Sequence, residues 1–192
     1  MIALDCDNHF ATWRDQARTL LGHGIDPAEV TWSQGPIDDL LAVPAPLPEG
    51  PGPFRGKVPA ALLSQLAQAA CYRGAQRWNL LYEVLWRVAH GDRTAMLAGD
   101  RLGSELQRRI KQVSREAHHL HAFVRFQPCQ AQGAPDFVAW FEPEHFIVAR
   151  TAPFFQRRFT DMDWVIATPK GSAIWDGRSL EISAESAEKP QA

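Results

Sequence analysis

The sequence predicts an α+β protein in which an antiparallel sheet, formed by the C-terminal half, packs against three or more helices. Apolar residues recur at helical spacing through residues 59–119, and they alternate with polar residues after about residue 120. A run of helices followed by a run of strands is typical of the α+β class. The length of 192 residues, 45% of them hydrophobic, predicts one domain over residues 1–183 and a disordered tail over 184–192.

A small βαβ element is predicted at the N-terminus. Ile2–Leu4 and Val30–Trp32 are short apolar runs that suit strands, and a helix over about residues 9–21 is predicted between them. Within that helix, Phe10 and Trp13 begin an apolar pattern at helical spacing. Strand, helix and strand in this order, within about thirty residues, is the pattern of a βαβ unit.

A proline- and glycine-rich loop over residues 43–58 separates this element from three predicted helices. Residues 43–59 contain six prolines and three glycines, a composition that favours extended chain. The helices are predicted over about residues 59–71, 75–90 and 101–119. The third has the clearest apolar stripe, formed by Leu102, Leu106, Ile110, Val113, Ala117 and Leu120.

The C-terminal part is predicted to consist of strands. His121–Gln127 and Asp136–Phe141 predict a hairpin. Glu142–His145 is expected to begin a helix that Pro153 splits or kinks near Thr151, because proline cannot donate the helical hydrogen bond. The strands of a final antiparallel meander are predicted over Trp164–Thr168, Ala173–Trp175 and Leu180–Ile182.

The composition and the missing motifs exclude several classes of protein. No apolar run approaches the roughly 18 residues that a membrane span needs, and the start, MIALDCDNHF, lacks the basic and apolar regions of a signal peptide. Cys6, Cys71 and Cys129 lie far apart, which fits a reducing cytoplasm and a chain without a four-cysteine metal site. Walker, GxGxxG, CxxxCxxC, GxSxG and HExxH motifs are absent. We therefore expect a cytoplasmic protein with no membrane contact, cofactor or metal.

The densest cluster of polar side chains lies over residues 108–126. Three cations and a histidine of the third helix fall opposite its apolar stripe. In the strand predicted to follow, an aromatic ring and an arginine alternate onto one face, where bases could stack. The residues predicted to bind nucleic acid, which include an arginine pair farther along the chain, are Arg108, Lys111, Arg115, His118, Phe123, Arg125, Arg157 and Arg158. The alternative is a solvated helix face beside a core hairpin.

A second cluster consists of Glu116, His118, Glu142 and His145. Carboxylate and imidazole groups are the usual general acids, general bases and metal ligands of enzymes. On a helix, Glu142 and His145 would share a face, because they are three residues apart. The four residues are therefore candidate catalytic residues. The alternative is that the acidic groups stabilise a helix N-terminus and that the histidine packs beside it.

Three segments resemble a known family. Residues 113–126 read VSREAHHLHAFVRF, residues 138–145 read VAWFEPEH, and residues 152–177 contain APFF, RRF and a final WDG. These segments resemble a bacterial domain of unknown function that is labelled a DNA metabolism or repair protein. Phe10, Trp13 and residues 30–32 are also similar to it, so that the resemblance extends over nearly the whole sequence.

The resemblance implies partners for this chain. The family occurs fused ahead of a family-4-type uracil-DNA glycosylase domain, or as a separate protein beside a radical-SAM DNA repair protein. The present sequence lacks the glycosylase's glycine-rich uracil-site motif and its four cluster cysteines. We therefore expect no glycosylase activity from this sequence, and we expect either a separate partner polypeptide or that the sequence is a trimmed piece of a longer protein.

The leading hypothesis is an accessory module of bacterial DNA repair. It would bind nucleic acid, single-stranded or damaged, or a repair enzyme engaged on DNA, through the basic face of the third helix. Two alternatives stay open. The chain could be an enzyme that acts on damaged DNA with the Glu/His cluster, or a protein-only adaptor that docks a glycosylase or radical-SAM partner through an exposed aromatic patch.

Overall fold

The chain has the α+β fold that the sequence predicts. A computed structural model describes residues 1–33, 46–130, 133 and 135–189. These residues form two compact units, unit 1 over Met1–Ile110 and unit 2 over Lys111–Ala192. Unit 1 holds the small N-terminal strand pair, and unit 2 holds a five-stranded sheet. The expected single domain over residues 1–183 stays a prediction.

Unit 1 begins with the predicted βαβ element. β1 (Ile2–Leu4) and β2 (Val30–Trp32) are parallel, with Ile2 opposite Val30, and α1 (Phe10–Gly22) connects them. A helix is the usual crossover between parallel strands, because the chain must return to the edge from which it started. The prediction of this element from short apolar runs is therefore confirmed.

The core of unit 1 is rich in aromatic rings. α2 (Ala60–Ala69) and α3 (Arg77–Ala89) follow the loop, and the buried Trp13 of α1 stacks on the buried Trp78 of α3 with 5.9 Å between ring centroids. Residues 46–58 of the predicted loop have no helix or strand, while residues 43–45 lie outside the described part. Most of the tryptophans thus serve as core anchors, as large apolar rings usually do.

α4 (Arg101–Phe123) is longer than predicted. The sequence analysis ended this helix at His119 and placed a strand over His121–Gln127, and that strand prediction is wrong. Leu120 is fully buried and lies seven residues after Val113, so the helical stripe runs on past the predicted end. Of the predicted strand, only Gln127 lies in an observed strand, which spans Gln127–Pro128.

The sheet of unit 2 has the order β3-β4-β5-β6-β7. Four of its strands agree with the predicted ones to within about two residues. The strands are β3 (Gln127–Pro128), β4 (Phe137–Trp140), β5 (Trp164–Thr168), β6 (Gly171–Trp175) and β7 (Leu180–Ser183). All neighbours are antiparallel except β4 and β5, which are parallel. The expectation of a wholly antiparallel sheet is corrected at that pair, because a helix returns the chain between the two strands.

The returning helix is α5 (Val148–Arg158), and it contacts β6 and β7. It starts later than Glu142–His145, where the sequence analysis began it. Pro153 lies inside α5 and does not end the helix. Behind it, the rings of Phe126, Phe155 and Trp164 meet edge to face or tilted, with centroids about 6 Å apart. This aromatic cluster forms part of the core of unit 2.

The last residues of the chain and the hydropathy of its helices are the remaining features of the fold. Residues 184–189 contain no regular element, although the N–H of Ala187 donates a hydrogen bond to the carbonyl of Thr168 at 3.0 Å. Residues 190–192 of the predicted disordered tail lie outside the described part of the chain. Among the described residues, no helix combines the length and the apolar character that crossing a membrane would require.

Candidate nucleic-acid interface

One row of polar side chains follows α4 within unit 2. It consists of Lys111, Arg115, His118 and His121, which we call the α4 row. Residues three or four apart on a helix are neighbours on its surface, so each member of the row lies beside the next. The first three are exposed, and His121 is half-buried. The row therefore leads from two open cations to a packed imidazole ring.

A second row follows α5. It consists of Arg150, Phe154, Arg157 and Arg158, which we call the α5 row, and all four side chains are exposed. The ring of Phe154 is 37% exposed although it is large and apolar. The row has an aromatic ring between cations at helical spacing. Core packing does not require this ring, because α5 contacts the core with its opposite face.

The two rows meet at one ring stack. His121 of the α4 row lies on Phe154 of the α5 row, with ring centroids 4.1 Å apart and an interplanar angle of 28°. His121 also meets the edge of Phe155 at 5.4 Å. This contact places the C-terminal end of α4 against α5, so that the two rows share one ring pair.

Burial favours the uncharged form of His121. Desolvation lowers the pKa of His121 below its ordinary value, against a hydrogen bond with the backbone of Thr151 that raises it, and the nearby His118 lowers it further. Its Nε2 atom is buried and has no hydrogen-bond partner among the described residues. The lowered pKa favours the uncharged ring, which packs on Phe154.

The cations of unit 2 differ from those of unit 1 in their partners. In unit 1, the carboxylates of Asp92, Asp100 and Glu105 hold arginines at 2.6 to 2.9 Å. In the described part of unit 2, no Lys or Arg side chain lies in an ion pair with Asp or Glu. Charges without an internal partner are free to meet an external anion.

Arg108, the first member of the predicted basic face, belongs to the paired group. Its Nε and Nη2 atoms donate to the two carboxylate oxygens of Glu105 at 2.7 Å, and its guanidinium lies over the ring of Tyr72. These contacts raise the pKa of Arg108 further above its ordinary value. The charge is neutralised locally, so we do not include Arg108 in the candidate interface.

Phe123 and Arg125 do not share the strand face on which they were predicted. Phe123 is the last residue of α4, is 58% exposed, and meets the ring of His119 with 4.6 Å between centroids. Arg125 lies in the loop that follows, where its Nη1 donates to the carbonyls of Ala122 and Val124. Both side chains are near the interface, but the alternation that grouped them is absent.

The Glu/His cluster is used for hydrogen bonds within unit 2. The carboxylate of Glu116 accepts the backbone N–H groups of Glu144 at 2.5 Å and His145 at 2.9 Å. Glu142 accepts a hydrogen bond from the indole N–H of Trp140 at 2.8 Å. His145 is buried, whereas His118 is exposed. Glu116 thus ties α4 to the turn before α5, and the two imidazoles differ in environment.

No metal site emerges from the described ranges of the chain. Within them, no three His, Cys, Asp or Glu side chains are placed so that they could hold one ion. Cys6 is buried, and burial raises the pKa of its thiol to about 11. A thiol held in its protonated form is a poor nucleophile and a poor metal ligand.

The predicted interface includes Arg157 and Arg158 but not Arg150, which was expected on the surface, or Phe154, which was expected in the core. Their spacing with Arg157 and Arg158 could have shown that they share a face of one helix. The spacing does not predict the stack between His121 and Phe154. These two residues are 33 positions apart, and the sequence does not say how the strands between them are arranged.

Comparisons with known proteins give one family. A family model described as Domain of unknown function (DUF4130) matches residues 75–189, which is more than half of the chain. The match begins just before α3 and extends through α4, the sheet and α5. No curated protein and no solved structure matches the chain.

Proposed function

The chain belongs to the DUF4130 family of domains of unknown function, and we propose that it is an accessory module of bacterial DNA repair that binds nucleic acid. The proposed surface is the α4 row together with the α5 row. The observation that supports it most is the His121–Phe154 stack, which joins two helix faces that both have exposed cations.

The cations of the two rows suit a phosphate backbone. Lys111 and Arg115 on α4 and Arg150 and Arg157 on α5 are exposed and lie in no ion pair among the described residues. Guanidinium groups match phosphate oxygens in two-point contacts. Four phosphate contacts, three from arginines and one from the ammonium of Lys111, can supply most of the affinity of a binding mode that does not depend on sequence.

The exposed rings favour a single strand over a duplex. A base can stack on Phe154 only when it is not stacked in a helix, and base–aromatic stacking contributes about 1 to 3 kcal/mol per base. Phe123, which is 58% exposed at the end of α4, offers a second ring close to Arg125. We therefore propose single-stranded or locally opened DNA as the ligand.

The enzymatic alternative is less well supported by the geometry. Glu116 accepts two backbone N–H groups, so its carboxylate is engaged in holding the turn at residues 144–145. A general base needs an accessible lone pair within reach of a substrate proton. The repair enzyme that the module serves, a uracil-DNA glycosylase or a radical-SAM protein, is accordingly proposed as a separate activity.

The test is binding of fluorescein-labelled 20-nucleotide DNA, followed by anisotropy at 50 mM salt. We expect the single strand to bind more tightly than the duplex of the same sequence. The double variant Arg150→Glu/Arg157→Glu should weaken binding at least about tenfold, since each lost contact to a charged group is worth about 1.5 kcal/mol or more. Phe154→Ala should weaken binding of the single strand and leave the duplex nearly unchanged.

The matched control is Arg178→Glu, an exposed arginine in the turn between β6 and β7 that lies in neither row. Compared with Arg150→Glu alone, it makes the same change in net charge. Equal losses for the two single variants would mean that only overall charge matters, and the proposed surface would be wrong. Retention of a glycosylase or radical-SAM protein at 1 M salt without DNA would instead favour the adaptor.

A further inference from the structure

Unit 1 contains a cavity that the proposed DNA surface does not use. It has a volume of about 1030 Å³ and lies between α1, the glycine- and proline-rich loop and the start of α2. Ligand-binding pockets typically have volumes of roughly 300 to 1000 Å³, so this cavity is large enough for a small organic molecule and larger than a bare ion needs. Its lining comes only from residues of unit 1.

One side of the cavity is apolar. Leu21, Val58, Leu63 and Leu85 line it together with the ring of Phe54. The ring of Phe54 is held in place by stacking on His90, with 4.5 Å between centroids. An apolar floor of this kind favours a ligand with a flat or aliphatic body, because covering the floor removes it from water.

The lining of the cavity also contains three arginines. Arg14, Arg18 and Arg55 line it, against a single carboxylate, that of Asp15. Arg14 bonds weakly to Asp15 at 3.2 Å, and both side chains are exposed. Arg55 donates through Nη1 to the carbonyls of Gly52 and Phe54, while Arg18 is exposed and has no ion pair among the described residues. The lining therefore has a surplus of positive charge.

The wall formed by the loop is built in close contact with α1. The N–H of Phe54 donates to the carbonyl of Gly22 at 2.9 Å, and a Cβ atom on Gly52 would lie 2.0 Å from that same oxygen. The carbonyls at the end of α1 are bonded to His23, Gly24, Ile25 and Phe54. The negative end of the helix is thus satisfied by the backbone, so that it does not oppose an anion at the arginines.

We propose that this cavity binds a nucleoside 5′-phosphate. The guanidiniums of Arg18 and Arg55 hold the phosphate, and the base lies against the apolar floor beside Phe54. Asp15 and the hydroxyl of Thr19, which also line the cavity, can accept hydrogen bonds from ribose hydroxyls. A fatty acid has no hydroxyl groups to offer to Asp15 and Thr19, so it would make fewer polar contacts with this lining than a nucleotide.

The experiment uses the intact chain and a fluorescent N-methylanthraniloyl derivative of AMP, with unlabelled competitors. AMP should displace the probe at concentrations at least about tenfold lower than adenosine or inorganic phosphate, because each of these makes only half of the contacts. Octanoate should not displace it. Failure of AMP at 10 mM, or equal displacement by octanoate or phosphate, would overturn the proposal.

Two charge reversals locate the site. Arg18→Glu and Arg55→Glu should each raise the dissociation constant of the probe at least about tenfold. Arg93→Glu, an exposed arginine of unit 1 outside the cavity, should leave it unchanged. An equal loss for all three variants would mean non-specific attraction and would refute the site. Circular dichroism shows whether each variant is folded. If Arg55→Glu is not folded, the result with Arg18→Glu alone tests the site.

This proposal and the DNA proposal fail separately. Arg150→Glu should not change binding of the nucleotide probe, and Arg18→Glu should not change binding of DNA. Loss of probe binding in Arg150→Glu would show that the nucleotide occupies the α5 row, which would contradict a cavity site whatever the result with DNA.

Discussion

Glu105 shows how single residues fix the charges of unit 1. Its Oε1 atom accepts from the Nε of Arg109 and from the Nη2 of Arg108, both at 2.7 Å. The side chain of Arg109 is only 8% exposed, so it depends on this carboxylate to balance its charge. Removing one partner of a buried pair is more costly than the pair itself is stabilising. We therefore treat Glu105 as a structural residue.

Glu105→Gln should lower the free energy of unfolding at pH 7 by about 1 to 2 kcal/mol, a range reduced for partial exposure. Hydrogen bonds from Arg108, and then from Arg109, lower the pKa of Glu105 from 4.5 to about 2, against desolvation. Because the folded-state pKa is the lower one, this stability is present above about pH 4.5 and is lost as pH falls towards 2.

Urea unfolding at pH 7 and pH 2.5 measures this effect. The difference between Glu105→Gln and the unsubstituted chain should be smaller at pH 2.5 than at pH 7. Glu181→Gln, on an exposed position of β7, serves as the control and should change little at either pH. A deficit of the same size at both pH values would contradict the assignment of the lost stability to the ionised carboxylate.

Glu116→Ala should destabilise the chain by about 1.5 to 3 kcal/mol, because two backbone N–H groups lose a charged acceptor. Glu116→Gln keeps one acceptor oxygen and should lose less. Thermal unfolding followed by circular dichroism measures both. Glu144→Ala is the matched control, since Glu144 contributes its backbone N–H to this contact and its side chain is exposed. Equal losses for Glu116→Ala and Glu144→Ala would argue against the role given to the Glu116 carboxylate.

Among the elements, α4 shows best how helix ends are specified. Asp100 precedes the helix, and its Oδ1 accepts the N–H groups of Leu102 and Gly103. A side chain that accepts early helical N–H groups is what a helix start requires. Arg87 donates to the same carboxylate, which lowers the pKa of Asp100 to about 2. The start of α4 is thereby fixed by local chemistry that a sequence can reveal.

Gly103→Ala should destabilise α4 although alanine is the better helix former by about 1 kcal/mol. A Cβ atom at Gly103 would lie 2.1 Å from the carbonyl oxygen of Leu97, and backbone must move to relieve such a clash, at about 1 to 3 kcal/mol. Gly99→Ala is the control, because nothing lies within 4 Å of its Cβ position. The measurement is the melting temperature of each variant. Equal melting temperatures for Gly103→Ala and Gly99→Ala would contradict the close contact at Gly103.

For the molecule as a whole, net charge does not distinguish the two units. Met1–Ile110 carries eleven Lys and Arg against twelve Asp and Glu, and Lys111–Ala192 carries nine against ten. The units differ instead in pairing, since the ion pairs of the described residues lie in unit 1. The arrangement of charges, rather than their sum, therefore supports the proposed interaction with a polyanion.

The salt dependence of the DNA affinity should reflect the number of these cations that contact phosphates. Four phosphate contacts to a single strand predict a log–log slope of about −3, and a roughly 50-fold loss of affinity between about 50 and 200 mM salt. Arg150→Glu/Arg157→Glu should reduce the slope to about −1.4. Anisotropy titrations at four salt concentrations measure it. A slope that is the same in this variant and in the unsubstituted chain would contradict the proposed contacts.

Residue order alone was enough for elements with a clear apolar period. The βαβ element, α2, α3, the start of α4 and strands β4 to β7 were all predicted close to their observed bounds, because their hydrophobic spacing is local information. The α+β class follows from the same spacing. The overrun of α4 to Phe123 and the parallel pairing of β4 with β5 were missed, because each depends on which surface the next segment covers.

The candidate site divides in the same way. The basic faces of α4 and α5 are readable from spacing, since position along a helix fixes direction around it. Folding had to supply the remote contacts: the Glu116 carboxylate is engaged by a turn 28 residues away, and Phe154 meets His121. Ion pairs, hydrogen bonds and ring stacks act over a few ångströms. The separation of two remote residues in the sequence does not give their distance in space.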